Sequence, residues 1–518
     1  MAHHGRLNIA FVALTVAIGG FLLGFDATVI SGVVPFIRDY FHLNGTGGDL
    51  KLGWAVSSLG WGAMAGNAFA GVLSDRFGRR KVLIGTALLF ATSALLASMA
   101  TTFTHFVLAR IVGGLAVGGA ILIAPVYIAE ISPAARRGSL VSLNQLMIVI
   151  GISASFFSNY FLLGIGDQNW RWMLGVQMVP ATLYFALLLL VPESPRWLLL
   201  KGRNDQALMV LMRVNGEQNA QQSLQQIRQS LGDKPVSRKF SSLLTRRMRF
   251  IILIALGIAF FQQITGINAI FYYLPTIFAQ AGGGVSDAFR QAVLVGLVNV
   301  VMTLVAIWLI DRLGRKPLLA VGVAGMAVSL LTIGWAFSHA SYRITDEDYT
   351  TLRSEGVPAE LVMSLRSSEL PAYESEADFI GALEARFSAE QIAPHRKVLV
   401  DTALTMNARL VLIAIIGFVA SFAISLGPVM WVLLSEIFPN EQRAAAISVV
   451  GFWNSLVSAS VTLIFPWELS RFGPAGTFFI YGSFATAALL FVLLFIPETK
   501  GRTLEELESD LTPLVTAK

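Results

Sequence analysis

The sequence predicts an all-α membrane protein of twelve transmembrane helices in two parallel six-helix repeats, with cytoplasmic helices between the halves and at the C-terminus. Three observations predict it. Of the 518 residues, 55% are hydrophobic and only 14% are charged, whereas a typical soluble domain has about 25% charged residues. The apolar residues form twelve long segments, and three short motifs recur in the same order in both halves. A soluble protein this poor in charge could not cover its surface, and the same composition excludes a disordered chain.

The long apolar segments set the number of spans. Each has about 20 or more largely apolar residues, which is the length that crosses about 30 Å of hydrocarbon. Spans 1 to 12 are predicted at approximately 9–36, 53–73, 82–101, 106–129, 141–164, 171–191, 250–278, 290–310, 318–338, 409–434, 444–466 and 475–496. Span 1 is too long for the apolar core of a secretory signal and contains Asp26, so we expect it to stay in the membrane.

Basic residues alternate between the two sides of the predicted membrane. The loops after spans 2, 4, 6 and 8 are rich in Lys and Arg, whereas the short loops on the opposite side have few or none. Since cytoplasmic loops carry the excess of Lys and Arg, this pattern predicts a multi-pass protein of the cell membrane with both termini in the cytoplasm. It also explains the net charge of +6 as an orientation signal in a lipid bilayer, without a nucleic-acid partner.

Two polar stretches interrupt the spans and divide the chain. Residues 192–249 are polar with helical patterning, and we expect them to be a cytoplasmic linker between two bundles, 1–191 and 250–497. Residues 339–407, within the second bundle, are predicted to be a long external insertion, with a solvated cap or a helical hairpin as the simplest form. Residues 498–518 are predicted to be a cytoplasmic tail.

The residues that most enzymes and metal proteins need are missing or scattered. There are no cysteines, and the six histidines lie at span edges or in loops. This excludes disulfides, thiolate catalysis and Cys-ligated metals, and it gives no basis for a histidine cluster in the membrane. No Ser/His/Asp set or nucleotide-binding loop is evident. We therefore expect a monomer without cofactor or metal, and not an enzyme.

Three loop motifs are repeated in the two halves. The pairs are GVLSDRFGRRK and IDRLGRKP after spans 2 and 8, EISPAARR and EIFPNEQR after spans 4 and 10, and PESPRWLL and PETKGRTL after spans 6 and 12. Repeats in the same order and orientation predict two parallel bundles. Transporters of this kind hold their substrate near the midplane, between halves that rock around it.

The repeated motifs place charged residues together on the cytoplasmic face. The Asp-Arg-x-Gly-Arg turn lets Asp75 accept from free N–H groups at a neighbouring helix N-terminus, and lets the arginines pair with acids of the next helices. We expect these links to stabilise the state in which this side is shut; a purely topogenic basic patch is the alternative, and the two roles are compatible. The predicted gate residues are Asp75, Arg79, Glu130, Arg137, Glu193, Arg196, Asp311, Arg315, Glu436, Arg443 and Glu498.

Uncharged carboxamides recur inside the predicted spans, and they are Gln145, Gln262, Gln263, Asn268, Asn299 and Asn454. Each hydroxyl of a sugar both donates and accepts a hydrogen bond, and a neutral amide offers both without the cost of burying a charge. A single amide in a span is more often a link between helices. The adjacent Gln262 and Gln263, with Asn268 beyond them, favour a sugar site, in which the Trp431 ring covers the apolar face of a pyranose.

Asp26 and Arg110 are the ionisable residues most clearly inside predicted spans. Each costs about 2.5–3.5 kcal/mol at a helix centre on insertion scales, and counting residues from the span ends places the two at similar depth. A neighbouring arginine favours the ionised carboxylate, whereas desolvation without it favours the protonated acid. The pair predicts a proton switch in which Asp26 carries the proton and Arg110 is its counter-charge. A permanent structural ion pair is the alternative.

Glycine and proline weaken two of the spans. Gly266 and Pro275 interrupt span 7, whose outer part we expect to bend over bound substrate as an external gate. Gly427 and Pro428 give span 10 a hinge for its inner part. Static kinks are the alternative at both places.

These residues and motifs resemble the sugar porter family of the major facilitator superfamily. The matching strings are GFLLGFDATVISG in span 1, DRFGRRK, PESPRWL, QQITGINAIFYY in span 7, DRLGRKP, GPVMWVLLSEIFPNEQR in span 10 and PETKGRTLEELE. They extend over essentially the whole chain except 339–407. The resemblance implies the major facilitator fold and, by position, sugar contacts from the six amides, Tyr272, Phe422 and Trp431.

The chain departs from the family pattern at two positions. Ser455 stands where many members have Trp, and Gln177 stands where a bacterial proton–xylose relative has a glutamate. In the family, an Asp in span 1 is associated with proton-linked members. We therefore predict proton-coupled symport of a monosaccharide (hexose or pentose) or a related polyol by alternating access. A facilitative sugar uniporter is one alternative, and a transporter-like sugar sensor is an alternative of another class.

Overall fold

The computed structural model describes residues 8–43, 47–133, 136–232, 246–282, 284–368, 370–439 and 442–500, and this part of the chain is mostly α-helical. The helices of the first half are α1 (Ile9–Tyr40), α2 (Gly48–Phe77), α3 (Arg79–Ser98), α4 (Phe103–Ile131), α5 (Arg137–Leu162), α6 (Asn169–Gly175) and α7 (Met178–Leu188). The helices that follow are α8 (Pro195–Leu200), α9 (Asn204–Asn215) and α10 (Glu217–Gly232). The last three helices lie within the stretch predicted as a linker, 192–249.

The membrane helices of the second half are α11 (Arg246–Ile264), α12 (Ile267–Gln280), α13 (Val285–Leu313), α14 (Arg315–Ser338), α20 (Ala408–Ile424), α21 (Leu426–Ile437) and α22 (Arg443–Phe495). Nine helical stretches in the described residues are long and apolar enough to cross a membrane. The last of them, Ala445–Phe495, covers predicted spans 11 and 12 together, with a bend at Gly473. Predicted span 2 lies on α2, and predicted span 6 lies on α6 and α7.

Three of the predicted spans are interrupted. Span 7 divides into α11 and α12 at Gly266, which has a φ of 86°, a conformation that glycine adopts without strain. Span 10 divides into α20 and α21 at Ser425, two residues before Gly427. Span 6 was expected to be continuous, but α6 and α7 are separated at Val176 and Gln177, both of which keep helical φ and ψ. Gly175 and Pro180 flank this interruption, and Pro180 has no N–H to donate to the Val176 carbonyl oxygen.

Glycines bring the helices of the first half close together. A Cβ on Gly114 of α4 would lie 2.2 Å from the Leu59 carbonyl oxygen of α2, and one on Gly24 of α1 would lie 2.0 Å from the Ile148 carbonyl oxygen of α5. Small residues at such crossings let helix backbones touch, which is how helices pack in lipid. Both helix pairs can therefore pack this closely only because these positions are glycines.

The two halves meet mainly toward the end of α1 that was predicted to be external. One buried cluster contains Phe25 to Ile37 of α1 together with α12, α13 and α22 of the second half. The other end of α1, Val12 to Leu22, belongs to a separate cluster that includes Trp197 and Ala207 of the linker helices. The first half is therefore joined to the second at one end and to the linker at the other.

The insertion is a small folded unit rather than a simple cap or hairpin. Its helices are α15 (Asp348–Ser354), α16 (Ala359–Ser367), α17 (Glu376–Glu384), α18 (Ala389–Ile392) and α19 (Arg396–Ala403). They enclose a buried cluster of their own around Leu352, Phe379 and Leu399. Strands β1 (Ser341–Tyr342) and β2 (Leu404–Thr405) pair antiparallel where the insertion leaves the membrane helices. The apolar residues of 339–407 are interspersed with many charged residues, so the sequence suggested a solvated segment.

Candidate functional site

Arg110 and Asp26 form a fully buried ion pair between α4 and α1. Each side chain is 1% exposed. Arg110 Nη1 donates to Asp26 Oδ1, and Arg110 Nη2 donates to the Asp26 backbone oxygen at 3.1 Å. The predicted pairing is confirmed as a contact. A buried pair of this kind is costly to desolvate, and removing one partner leaves an uncompensated charge.

The pair is left with unused hydrogen-bonding atoms. Asp26 Oδ2 and Arg110 Nε are buried and have no hydrogen-bond partner among the described residues. Asp26 Oδ2 faces Gly113 of α4: a Cβ at Gly113 would lie 2.8 Å from this oxygen and 2.5 Å from Ser93 Oγ. The carboxylate thus has one oxygen on the arginine and one oxygen without a hydrogen-bond partner in the described part of the chain.

Four of the six predicted amides form one hydrogen-bonded network in the second half. Gln262 Nε2 of α11 donates to the Leu426 carbonyl oxygen at 2.8 Å. Asn454 Nδ2 of α22 donates to Gln262 Oε1 at 2.8 Å, and Gln263 Nε2 donates to Asn454 Oδ1 at 3.1 Å. Asn268 Nδ2 of α12 donates to Gln263 Oε1 at 2.8 Å. The break at Gly266 leaves Gln262 and Gln263 at the end of α11 and Asn268 at the start of α12. Both helix ends hydrogen-bond to α22.

The network includes one residue that the sequence reasoning missed. Asn268 Nδ2 also donates to Ser458 Oγ at 2.8 Å. Ser458 follows Asn454 by four residues on α22, and residues four apart lie on the same helix face. That spacing was the available signal. A serine hydroxyl adds a donor and acceptor of the same kind that a polyol would need.

The remaining predicted contact residues lie around this network without joining it. Asn299 of α13 is buried and Gln145 of α5 is half-buried. In the described part of the chain, neither is hydrogen-bonded to the four amides. Trp431 of α21 is 38% exposed, so much of its ring is free for a ligand. Phe422 lies beside Gly427, where a Cβ would meet its ring at 3.2 Å.

The outer part of span 7 packs against the first half. Helix α12 lies against α1, which carries Asp26, and the Phe271 ring of α12 lies 6.2 Å from the Phe156 ring of α5, centroid to centroid. Gln177, at the break in span 6, is buried, and its Nε2 has no hydrogen-bond partner among the described residues.

The first network of the predicted cytoplasmic gate ties α3 to α4 and to the segment before α8. Arg79 is buried and donates to both carboxylate oxygens of Glu130, from Nε at 3.0 Å and from Nη2 at 3.1 Å. Its Nη1 also donates to Asp75 Oδ1 at 3.2 Å. Glu193 Oε1 accepts from the backbone N–H groups of Arg79 and Arg80, at 2.9 and 3.2 Å. The two hydrogen bonds from the Arg79 guanidinium to Glu130 form a bidentate pair, which is the strong form of an arginine–carboxylate contact.

The second network of the predicted cytoplasmic gate repeats the first in the other half. Arg315 Nη2 donates to Glu436 Oε1 at 2.8 Å. Glu498 accepts from the backbone N–H groups of Arg315 and Lys316, at 3.0 and 3.1 Å. Thr499 donates to Glu436, as Ser194 donates to Glu130 in the first half. The repeated motifs therefore build the same contacts twice.

Acids from distant segments cap the helices that follow the repeated turns. The backbone N–H groups at the start of α3 donate to Glu193, and those at the start of α14 donate to Glu498. Asp75 accepts from the Arg79 guanidinium, and its contact with a neighbouring helix N-terminus stays a prediction. The sequence did not indicate the two caps, because each glutamate comes next to its helix only after folding.

The other predicted gate residues contribute less to these networks. Arg196 is exposed, and Arg443 Nε donates to the Phe438 carbonyl oxygen at 3.2 Å. The side chains of Arg137 and Asp311 lie outside the part that the structure describes, as do residues 501–518 of the predicted tail.

The two capping glutamates differ in charge environment. Burial raises the pKa of the Glu193 carboxyl, against the lowering effect of three backbone N–H donors. Burial would also raise the pKa of Glu498, but its backbone N–H donors outweigh this and hold the pKa below its usual range. The two halves therefore respond differently to acid.

Comparison with known proteins identifies the family of this chain. The family model described as "Sugar (and other) transporter" matches residues 12–348 and 393–511. Together with the helical fold, this match defines the class: a multi-pass membrane transporter and not an enzyme. The chain belongs to the sugar porter family of the major facilitator superfamily. The unmatched internal residues, 349–392, lie inside the insertion.

Curated relatives and solved structures extend over nearly the whole chain. The arabinose-proton symporter of Bacillus subtilis is 35% identical, covering 98% of this chain and 95% of its own length. The D-xylose-proton symporter of Escherichia coli K12 is 34% identical, with coverages of 96% and 94%. A partially occluded inward-open structure of the E. coli xylose transporter XylE superimposes with a TM-score of 0.74 at 30% identity, covering 96% of this chain and 99% of that one.

Proposed function

We propose that the protein is a secondary active transporter that couples uptake of a monosaccharide, or a related polyol, to a proton. In this proposal twelve helices cross the membrane as two parallel six-helix repeats, with both termini in the cytoplasm and a monomer as the working unit. The linker helices α8 to α10 lie on the cytoplasmic side and the insertion lies outside. Relatives named as arabinose-proton and xylose-proton symporters support this assignment.

The ion pair of Asp26 and Arg110 is the observation that carries the coupling. A charge pair buried to 1% exposure is an expensive feature unless it is used. While Asp26 is ionised, Arg110 holds it, and α1 is tied to α4. Protonation at the free Oδ2 removes the charge that Arg110 neutralises, so the two helices are released. Because the outer gate helix α12 packs against α1, a movement of α1 on release of the pair would reach the gate.

The amide network is the proposed sugar site. Gln262, Gln263, Asn268 and Asn454 are held by one another and by backbone oxygens. A bound sugar can replace several of these hydrogen bonds with its own hydroxyls, at little desolvation cost. Movement of α12 would bring Asn268 and Tyr272 onto the ligand. Trp431, with its partly exposed ring, would cover the apolar face of a pyranose.

The present arrangement is best explained as the state closed on the outside. The halves share a buried cluster at the external end of α1, and inward-open XylE structures superimpose with TM-scores of 0.74. In this state both cytoplasmic networks are formed, and each joins residues of one half only, so we propose that they keep each bundle rigid while the halves rock; that they also stabilise the inward-closed state stays a prediction. Opening of α12 at Gly266 and of α21 near Ser425 would provide the external and internal gates.

Replacement of Asp26 by Asn tests the coupling. The variant cannot exchange a proton at that site, so we expect uptake driven by a pH gradient to fall to the level without a gradient. Counterflow needs no net proton movement and should persist. Purified parent and D26N protein would be compared in proteoliposomes with labelled D-xylose, with L-arabinose and D-glucose as competitors.

The outcomes separate the alternatives. If D26N accumulates sugar under a pH gradient as the parent does, Asp26 is not the proton carrier. If the parent shows no gradient effect and no sugar-induced alkalinisation outside, a facilitative uniporter is the correct assignment. If the parent binds sugars without moving them, the sensor alternative gains support.

A further inference from the structure

An apolar groove opens between three helices of the first half. Its volume is about 500 Å³, and it lies between α2 and α3 with α4 as its floor. The residues that shape it are Gly66, Phe69, Leu73, Phe77, Gly85 and Leu89. Phe69 is 65% exposed, and a Cβ on Gly85 would meet no atom within 4 Å. The groove is therefore a space between helices that the protein does not fill.

A single cation marks one end of this groove. Lys81 lines the cavity and is exposed, whereas all the other lining residues are uncharged. Arg76 lies nearby, with its guanidinium 5.2 Å from the centre of the Phe77 ring. In the described part of the chain neither Lys81 nor Arg76 is paired with a carboxylate. The positive charge at this end of the groove thus has no anionic partner in the described part of the protein.

The length of the groove matches one leaflet of a bilayer. It extends along α2 from Phe77 to Gly66, which at about 1.5 Å per residue is roughly 16 Å. This is about half of a 30 Å hydrocarbon core. On the proposed topology, Lys81 lies at the cytoplasmic surface, at the depth of lipid phosphates, and the apolar groove extends from there to the midplane.

The second half does not repeat this feature. In the matched motifs DRFGRRK and DRLGRKP, Lys81 corresponds to Pro317. The cation is therefore not required by the helix-capping network, which both halves form. It belongs to the groove of the first half alone.

We propose that this groove binds an anionic phospholipid of the cytoplasmic leaflet. An acyl chain lies between α2 and α3 over Gly85, and the phosphate is held by Lys81 with help from Arg76. The chemistry that recognises it is an apolar channel of one-leaflet length with a cation at its headgroup end.

Lipid retention by the purified full-length protein tests this site. Native mass spectrometry would measure retained phosphatidylglycerol against phosphatidylcholine with the same acyl chains. The test variants are Lys81→Gln and Gly85→Leu. The matched controls are Lys51→Gln at the other end of α2 and Gly138→Leu, which also has open space at its Cβ position. A diazirine-labelled phosphatidylglycerol would report the labelled peptide.

We expect the parent to prefer phosphatidylglycerol. Loss of one cation near the surface should weaken it about fivefold in K81Q, and G85L should lose both lipids, with an unchanged Tm in lipid-free detergent. The photolabel should map between Gly66 and Leu89. Equal retention of the two lipids by the parent, K81Q behaving like K51Q, or labelling elsewhere would overturn the proposal. If G85L does not fold, the lipid retention of K81Q and the position of the photolabel still test the proposal.

Discussion

At the residue scale, the chemistry proposed for this transporter depends on a few buried polar atoms. Asp26 Oδ2 is open because the neighbouring residue on α4, Gly113, has no side chain. The amides, in contrast, are mutually satisfied. One site thus keeps a free acceptor for a proton, and the other keeps a set of exchangeable hydrogen bonds.

Gly113→Ala should impair proton coupling more than substrate binding. Its Cβ would lie 2.8 Å from Asp26 Oδ2 and 2.5 Å from Ser93 Oγ, so the carboxylate must shift against Arg110. We expect gradient-driven uptake to fall several-fold, in line with a 1–3 kcal/mol overpacking cost, while sugar affinity changes little. Gly71→Ala on α2, with its nearest atom at 3.9 Å, is the control. Equal effects of the two substitutions would count against a role for this contact.

Asn268→Ala should weaken sugar binding. Each hydrogen bond lost to the ligand is worth about 0.5–1.5 kcal/mol, or roughly two- to twelvefold in Kd. Binding of the transported sugar would be measured by calorimetry. Asn159→Ala serves as the control, because this buried amide donates to the Val29 carbonyl oxygen away from the network. If N268A lowers only the Tm, as N159A should, the amides link helices and do not bind cargo.

At the element scale, broken helices and the insertion distinguish this chain from a plain bundle. The break at Gly266 separates Gln262 and Gln263 from Asn268, yet the network reconnects them. The insertion has its own core, and its Leu404 side chain approaches Gly282 at the end of α12. It is therefore an accessory unit attached beside the proposed outer gate.

Excision of residues 343–403 should leave a folded transporter. Tyr342 and Leu404 are paired across β1 and β2, so an Asn-Gly turn can join them as a two-residue hairpin. We expect uptake and Tm close to those of the parent. Phe379→Ala, which removes a large core side chain of the insertion at a cost of about 3–5 kcal/mol, should make the insertion protease-sensitive while uptake continues. Loss of sugar binding on excision would show that the unit is part of the site.

At the scale of the whole molecule, each half contains a helix-capping network of the same kind. Glu193 and Glu498 occupy equivalent positions, but the pKa of Glu193 is raised by burial and that of Glu498 is lowered by backbone N–H donors. A lowered pKa adds stability above the usual range of the group, and this stability is lost as the pH falls through the folded-state pKa. A raised pKa adds stability in acid that is lost as the pH rises through the folded-state value.

Glu498→Gln and Glu193→Gln should therefore change stability with opposite pH trends. The Tm deficit of E498Q is expected to be largest near pH 7 and to shrink toward pH 4, because only the parent loses the charge in acid. The deficit of E193Q should grow toward pH 4, since the parent then gains what the variant lacks. Thermal unfolding of the purified proteins from pH 7 to pH 4 measures both. Parallel trends would show that the two networks are electrostatically alike.

The sequence by itself determined the helical membrane class, the family, the repeated charge motifs and the pairing of Asp26 with Arg110. These follow from hydrophobic length, repeated spacing and the scarcity of charge, which act locally along the chain. Only the tertiary structure decided that Glu193 caps α3, that Ser458 joins the amides and that the insertion has a core. Each of these depends on which distant segments come within hydrogen-bonding or packing distance, and no local pattern records that.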